Sequence, residues 1–247
     1  MVTGSTAGLG LEVARRLAER GETVLVHGRD EGRLADARES TGAAAGYLAD
    51  LSSLEGVRRL AAEASAEHGR LDLLLNNAGI IAGRERRLSA DGHELGFAVN
   101  YLAGFLLWHE LRPARVINVS SIGQQEIDFD DVMLEHGYSS TRSYSQSKLA
   151  QILFSFELAE RAPDGETSDA LHPATLMDTQ MVREFMGPGG ARSTVAEGAD
   201  AVMHVIDSRG TGRYFDGQKE STADRQAYDP EARRRLWELS EGLIVTS

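Results

Sequence analysis

Helical apolar stripes and short apolar runs take turns along most of the chain. Leu9, Val13 and Leu17 recur at four-residue spacing, which puts them on one face of a helix, and Gly21 supplies a stop. Thr23-Val24-Leu25-Val26 follows as a run typical of a buried strand. The alternation continues with a helix through Arg33, Leu34 and Ala37, a short strand at Gly46-Tyr47-Leu48-Ala49, and a helix capped by Ser52 or Ser53 that runs to about His68. Leu71-Asp72-Leu73-Leu74-Leu75 predicts the fourth strand, Asn100 sits in a helix, and Arg115-Val116-Ile117-Asn118-Val119 predicts a further strand. A long amphipathic helix spans Tyr144 to about Arg161, then come a strand at Ala170-Leu171, a helix from about Ala196 to Ile206, and a last strand at Arg213-Tyr214-Phe215. Asp229 and Pro230 open a terminal helix. This order predicts an α/β fold with a parallel sheet and helices on both faces. Two stretches interrupt it: Gln124 to Arg142, and Arg183 to Arg192 with its core Met186-Gly187-Pro188-Gly189-Gly190. Long loops in compact domains often serve function, with surface decoration as the alternative.

Composition narrows the classes. With 247 residues, 41% of them hydrophobic, the chain can bury one large core, and residues 1–247 read as a single domain. The absence of cysteine excludes disulfides, thiolate metal sites and a cysteine nucleophile, and fits a reducing cytoplasm. No apolar run reaches the ~18 residues of a membrane span, and no basic-then-apolar leader is present, so a soluble protein without a membrane partner is expected. A net charge of -12 argues against nucleic acid as a partner. The short basic runs Arg84-Glu85-Arg86-Arg87 and Arg233-Arg234-Arg235 read as solvated or ion-paired faces. The seven histidines lack metal-ligand spacing, and Asp128, Asp130 and Asp131 lack the spacing of a calcium loop, so no metal is expected.

Three segments carry chemistry. In Thr3-Gly4-Ser5-Thr6-Ala7-Gly8-Leu9-Gly10, Gly4 permits a tight turn, Gly8 lets backbone approach a ligand, and Gly10 lets the helix pack closely, leaving amides aimed at an anion. Glycines also gather in ordinary turns, so this spacing alone is a weak signal. Only Met1 and Val2 precede Thr3, which makes the first strand unusually short. Tyr144 and Lys148 lie four residues apart and project from one helical face. A nearby ammonium and a positively charged nicotinamide would each favour phenolate, bringing a phenol of ordinary pKa about 10 toward use at neutral pH. An exposed helix pair is the alternative. After the second strand, His27-Gly28-Arg29-Asp30 sets a guanidinium where the 2'-phosphate of NADP(H) would lie, whereas Asp30 can pair with Arg29 or contact the ribose itself.

Taken together, Thr3-Gly4 to Gly10, Asp50-Leu51, Asn76-Asn77-Ala78-Gly79, Asn100, Ser121, Tyr144 with Lys148, and His172-Pro173 followed by Thr179 resemble the short-chain dehydrogenase/reductase family over nearly the whole chain. Tyr144-Ser145-Gln146-Ser147-Lys148-Leu149-Ala150-Gln151, followed by Phe154 and Glu157-Leu158-Ala159, resembles its retinol-dehydrogenase-like branch, as does the long insert before Tyr144. The resemblance implies a Rossmann-type, doubly wound sheet, a bound NAD(P), and hydride exchange with a carbonyl or alcohol. By the same resemblance, Tyr144 is the acid/base, Ser121 rather than Ser120 orients the substrate oxygen, and Asn100 helps hold a water and Lys148 in a proton relay. Cofactor contacts fall to Gly4, Ser5, Thr6, Gly8, Leu9, Gly10, Arg29, Asp50, Leu51, Asn77, Ala78, Gly79, Tyr144, Lys148, Pro173 and Thr179. Ser5 and Thr6 add hydroxyls to the 2'-phosphate, Asp50 and Leu51 hold the adenine, and Thr179 meets the carboxamide. Ala174 stands where the family commonly has glycine. Residues 183–192 form a candidate substrate lid.

The leading expectation is an NADP(H)-dependent carbonyl reductase or alcohol dehydrogenase acting on an apolar ketone, aldehyde or secondary alcohol. The alternatives are a redox-neutral epimerase or dehydratase using the same site, and a non-catalytic NADP-binding sensor. Family habit implies a homodimer or homotetramer. The helix from Tyr144, with Leu149, Ile152, Leu153 and Phe156, is either core or a subunit interface.

Overall fold

The computed structural model describes residues 1–161, 165–187 and 189–245. Its first helix, α1 (Gly8–Glu19), leads to β1 (Leu25–Gly28), and α2 (Glu31–Thr41) leads to β2 (Ala45–Leu48), which pairs parallel with β1. Next come α3 (Leu54–His68), β3 (Leu73–Asn76), and a helix in three parts: α4 (Leu95–Phe97), a π turn over Ala98–Leu102, and α5 (Ala103–Leu111). After them stand β4 (Arg115–Val119), α6 (Ser140–Arg161), β5 (Thr167–His172), α7 (Gln180–Met186) and α8 (Val195–Asp207). A hairpin of β6 (Tyr214–Asp216) and β7 (Lys219–Ser221), a 3-10 turn over Arg225–Tyr228, and α9 (Pro230–Val245) complete the chain.

β3, β4, β5 and β6 pair in parallel. Val2 forms parallel bridges to both Val26 and Leu75, so the N-terminal residues join β2-β1 to β3-β4-β5-β6-β7 as one twisted layer. Successive strand side chains point to opposite faces. Leu25, Leu74, Val116, Ala170 and Tyr214 join the apolar cluster shared with α3, α5, α6 and α9, whereas their neighbours Val26, Leu75, Ile117, Leu171 and Phe215 join the cluster under α1 and α8. That two-sided burial is why these strands read as continuous apolar runs. Ser53, not Ser52, caps α3 by accepting a hydrogen bond from the Gly56 amide.

Three details depart from the expectations. The last strand is β7 rather than the 213–215 segment, and it pairs antiparallel with β6 through a turn at Gly217 (φ 60°). Asp-Gly between strand residues is a hairpin signal, present at Asp216-Gly217. The Tyr144 helix begins a turn earlier, at Ser140. Residues 183–186 of the candidate lid are helical, as the second half of α7, and its Pro188 lies outside the described residues. Of the two readings of Leu149, Ile152, Leu153 and Phe156, the structure shows core within one chain, with β4, β5, the π turn and α9 packed on α6. There Trp237 packs on Phe105 and Trp108 with ring centroids 5.3 and 5.0 Å apart.

The 124–142 insert is stitched to the segment before α9. The Gln226 amide pairs with both backbone groups of Ile127 (2.7 and 3.0 Å), and the Asp224 N–H donates to Gln124 Oε1 (2.7 Å). Its acidic residues close local contacts: Asp128 pairs with Arg142, and Asp131 accepts from the amides of Glu135 and His136. The Arg233-Arg234-Arg235 run is engaged with Glu157, Glu160, Glu231, Glu238 and Asp130. Among the described residues no cluster of His, Asp or Glu is arranged to hold a metal, and no helix is long and apolar enough to cross a membrane.

Candidate active site

The carboxyl ends of β1, β2, β3, β4 and β5 share one edge of the sheet, the position at which open parallel sheets bind ligands. The turn from Val2 into α1 lies there. Gly4 (φ 61°) and Gly8 (φ 56°) occupy the left-handed region, and a side chain on Gly10 would meet the Gly4 carbonyl at 2.6 Å. No side chain caps α1 at Ala7 and no acidic residue stands in its first turn, which leaves its leading amides and positive dipole end for an anion. An uncapped helix start over a cradle that admits no side chain fits a dinucleotide pyrophosphate.

The neighbouring strands hold this loop. Thr3 Oγ1 accepts from the amides of Asn77 and Ala78 (3.0 Å each), and Asn77 Nδ2 donates to the carbonyls of Thr3 (2.8 Å) and Gly4 (3.1 Å). Asn77 therefore acts on the loop's backbone, and Ala78 packs against Gly4. His27 is buried at the end of β1, where its Nδ1 accepts from the Gly4 N–H (3.1 Å) and its Nε2 reaches the Ala49 carbonyl (3.1 Å). One neutral imidazole thus ties the glycine loop to the Asp50-Leu51 segment, a role that local periodicity does not signal.

Ser5 departs from its expected role. It is fully buried, its hydroxyl donates to the Val2 carbonyl (2.8 Å), and it accepts from the His27 amide (2.9 Å), so it braces the loop rather than facing a phosphate. Thr6 is half-buried and packs on Gly28, beside the exposed Arg29. Asp30 caps α2 by accepting from the Arg33 amide (2.9 Å), so this acid serves the helix start. Asp50 likewise closes its own turn through the Ser52 amide (2.9 Å), and Leu51 is buried. Leu9 is buried beneath α1.

Across the cleft, α6 brings Tyr144 and Lys148 to the end of β4. Lys148 is buried and donates to the Val119 carbonyl (2.8 Å) and to Gln151 Oε1 (3.1 Å), with its Nζ 5.6 Å from the Tyr144 ring centroid. Burial lowers its pKa to about 7. Ser120 donates to the Lys148 carbonyl (2.6 Å) inside the protein, while Ser121 stands beside the Tyr144 phenol and accepts from the Gly123 amide (3.0 Å). Tyr214 holds the serine turn by donating to the Ser121 carbonyl (3.1 Å).

The phenol behaves differently from the expectation. Burial raises the Tyr144 pKa above its ordinary value, opposed by the bond with Ser121, and the lysine does not reverse this. The protein's own groups keep the tyrosine protonated. Asn100 anchors the facing helix. It lies in the π turn, its Oδ1 accepts from the Ile80 amide (2.7 Å), and its Nδ2 donates to the Ile80 carbonyl (3.0 Å) and Ser147 Oγ (2.9 Å). Its side chain therefore docks the π turn on the segment after Gly79. Gly79 lies between the two: a side chain there would fall 3.4 Å from Lys148 Nζ and 3.5 Å from Asn100 Oδ1.

Pro173 is buried after β5, and Thr179 caps α7 through the Val182 amide (3.3 Å) while flanking Gly8. Between them Leu176 adopts a left-handed φ of 49°. α7 carries no buried residue, and its Phe185 and Met186 are about half exposed.

The short chain dehydrogenase family model matches residues 1–186, so the chain belongs to that family. Human retinol dehydrogenase 13 is 34% identical over 279 residues, covering 99% of this chain and 83% of that protein. A crystal structure of a protein from Mycobacterium paratuberculosis shares 30% identity with a TM-score of 0.84, covering 98% of this chain and 91% of its own. The Pseudomonas aeruginosa RhlG/NADP active-site complex shares 26% identity with a TM-score of 0.71, covering 87% and 92%. The protein is a short-chain oxidoreductase acting on CH–OH or C=O groups.

Proposed function

We propose that this protein is an NADP(H)-dependent carbonyl reductase or alcohol dehydrogenase for an apolar ketone, aldehyde or secondary alcohol. The observation that carries this reading is the meeting of Tyr144, Ser121 and buried Lys148 beside an uncapped, side-chain-free glycine cradle. NADP(H), when bound, supplies or takes up the hydride. Tyr144, protonated through burial, donates its phenolic proton to a carbonyl oxygen during reduction and takes it back during oxidation. Ser121 hydrogen-bonds the same oxygen and fixes its orientation. Lys148 holds ribose hydroxyls with its remaining N–H and offers positive charge near the phenol. The preference for NADP(H) is supported by an exposed Arg29 with Thr6 alongside, by an acid at position 30 engaged in capping, and by the NADP named in the RhlG complex. The half-exposed Phe185 and Met186 support an apolar substrate, and the names of the relatives put retinol and retinal in the screening panel.

Calorimetric titration with NADPH and NADH tests the cofactor reading without knowledge of the substrate. NADPH is expected to bind at least ~10-fold tighter, and Arg29→Ala to abolish most of that difference, as removal of one charged hydrogen bond of ~1.5–3 kcal/mol predicts. Equal affinities, or a difference that survives Arg29→Ala, would overturn it. A cytoplasmic, self-associated protein completes the proposal, checked by cell fractionation and light scattering; an interface on the covered face of α6 is excluded from it.

A further inference from the structure

Gln151 stands where an apolar residue would be expected. It lies on α6 among Leu149, Ala150, Ile152 and Leu153, is 1% exposed, and its Nε2 has no hydrogen-bond partner among the described residues. A buried amide satisfied at one atom only is less favourable than a leucine of similar size. What it gains is the contact of Oε1 with Lys148 Nζ at 3.1 Å, and the flipped amide would set N–H groups against an ammonium. Its helical environment is equally deliberate: the Gln151 carbonyl accepts from Ser155 Oγ (3.0 Å), which in turn accepts from Asn118 Nδ2 on β4 (2.8 Å). The Val119 carbonyl takes a second Nζ–H at 2.8 Å.

We propose that Gln151 is a positioning residue for Lys148: together with the Val119 carbonyl it fixes two of the three Nζ–H directions, aims the third at the cofactor ribose, and holds the amine protonated. This rests on the reading of Lys148 as a ribose ligand. Few other groups can set the lysine's charge. Tyr144 is the titratable neighbour on α6. β4 and its following turn present Val119, Ser120 and Ser121, and the strand-end segment presents Asn77, Gly79 and Ile80. In the π turn Asn100 is neutral and the Tyr101 hydroxyl pairs with Ser240. On β5, His172 is bonded to Thr175, and Asp169 is paired with Arg115 and Arg213. Burial alone lowers the lysine, with no neighbouring charge contributing.

The test follows NADPH affinity of the intact protein by nucleotide fluorescence from about pH 7 to about pH 9.5, where the 2'-phosphate stays ionised. Wild-type affinity is expected to fall with rising pH as the free protein's Lys148 loses its proton. Gln151→Leu, which removes the acceptor, is expected to bind about tenfold more weakly at pH 7 and to show a flat profile, its lysine being neutral throughout. Gln151→Glu is expected to carry the fall to higher pH, because a carboxylate favours the ammonium. A Gln151→Leu profile that superimposes on the wild type, with Gln151→Glu also unchanged, would overturn the proposal. Lys148→Met separates the two layers. If it binds NADPH as the wild type does, the ribose reading fails and this inference with it; if it binds weakly while both Gln151 variants match the wild type, only the positioning role fails. A merely structural Gln151 would alter melting temperature without displacing the pH profile.

Discussion

Replacing His27 by phenylalanine is expected to loosen the glycine loop while keeping the volume of its ring. The imidazole is 3% exposed and bridges the Gly4 N–H to the Ala49 carbonyl, each at 3.1 Å, which fixes a neutral ring with its proton on Nε2. Phenylalanine leaves both backbone groups without that partner. Unmatched buried polar groups cost ~1–3 kcal/mol each, and the partial exposure of Gly4 favours the lower part of that range, so a total of about 2–4 kcal/mol is expected. At roughly 2–4 °C per kcal/mol for a chain of this size, the melting temperature should fall by about 4–16 °C. NADPH affinity should fall with it, by about tenfold, because Gly4 opens the cradle.

The same residue imposes a pH dependence. Burial, opposed by the bond to Ala49 and the charge of Asp50, lowers the His27 pKa from 6.5. The unfolded chain therefore takes up its proton first as pH falls, so the His27 contribution to stability is complete above about 6.5 and is lost as pH drops toward the lowered folded value. His93 and His172 are also lowered by burial and act in the same direction. The His27 part is thus the difference between the wild-type and His27→Phe melting curves recorded at about pH 7.5 and about pH 5.5. A variant that melts within ~2 °C of the wild type at the higher pH, with a parallel pH trend, would refute the bridging role.

Tyr144→Phe should keep the fold and bind NADPH with near-wild-type affinity, while steady-state turnover of any reduced carbonyl falls by ~100-fold or more; turnover within a few-fold of wild type would remove the tyrosine from the chemistry. Asp169 is fully buried between Arg115 and Arg213, accepting from each Nη2 at 2.9 Å. Asp169→Asn strands two partly buried guanidinium groups and should cost about 3 kcal/mol, a loss of roughly 6–12 °C in thermal melting that a shift under ~2 °C would contradict.

The alternation of strands and helices was legible because each element carries its own period. Val13 and Leu17 mark one face of α1, Ser53 caps α3, and Val116 and Ile117 serve opposite faces of one buried strand. The chemistry was legible wherever spacing alone sets geometry, as with Tyr144 and Lys148 one helical turn apart or the Gly4-to-Gly10 turn. β7 escaped because Lys219-Glu220-Ser221 is exposed and carries no apolar signal. Whether α6 is core or interface stayed open for a different reason: its apolar face is the same whether a second chain or α9 covers it.

Most of the elements, their order and the residue types at the site were local information, because backbone propensity, side-chain periodicity and ligand-friendly glycines act within a few residues. The tertiary structure alone decided what each polar group does. Ser5 became a brace because β1 approaches within hydrogen-bond reach, Asn100 became a clamp because Ile80 lies opposite it, and Val2 became a bridge because β1 and β3 flank it. Such roles depend on partners far away in the chain, and buried polar groups take whichever partners the packed sheet brings within reach.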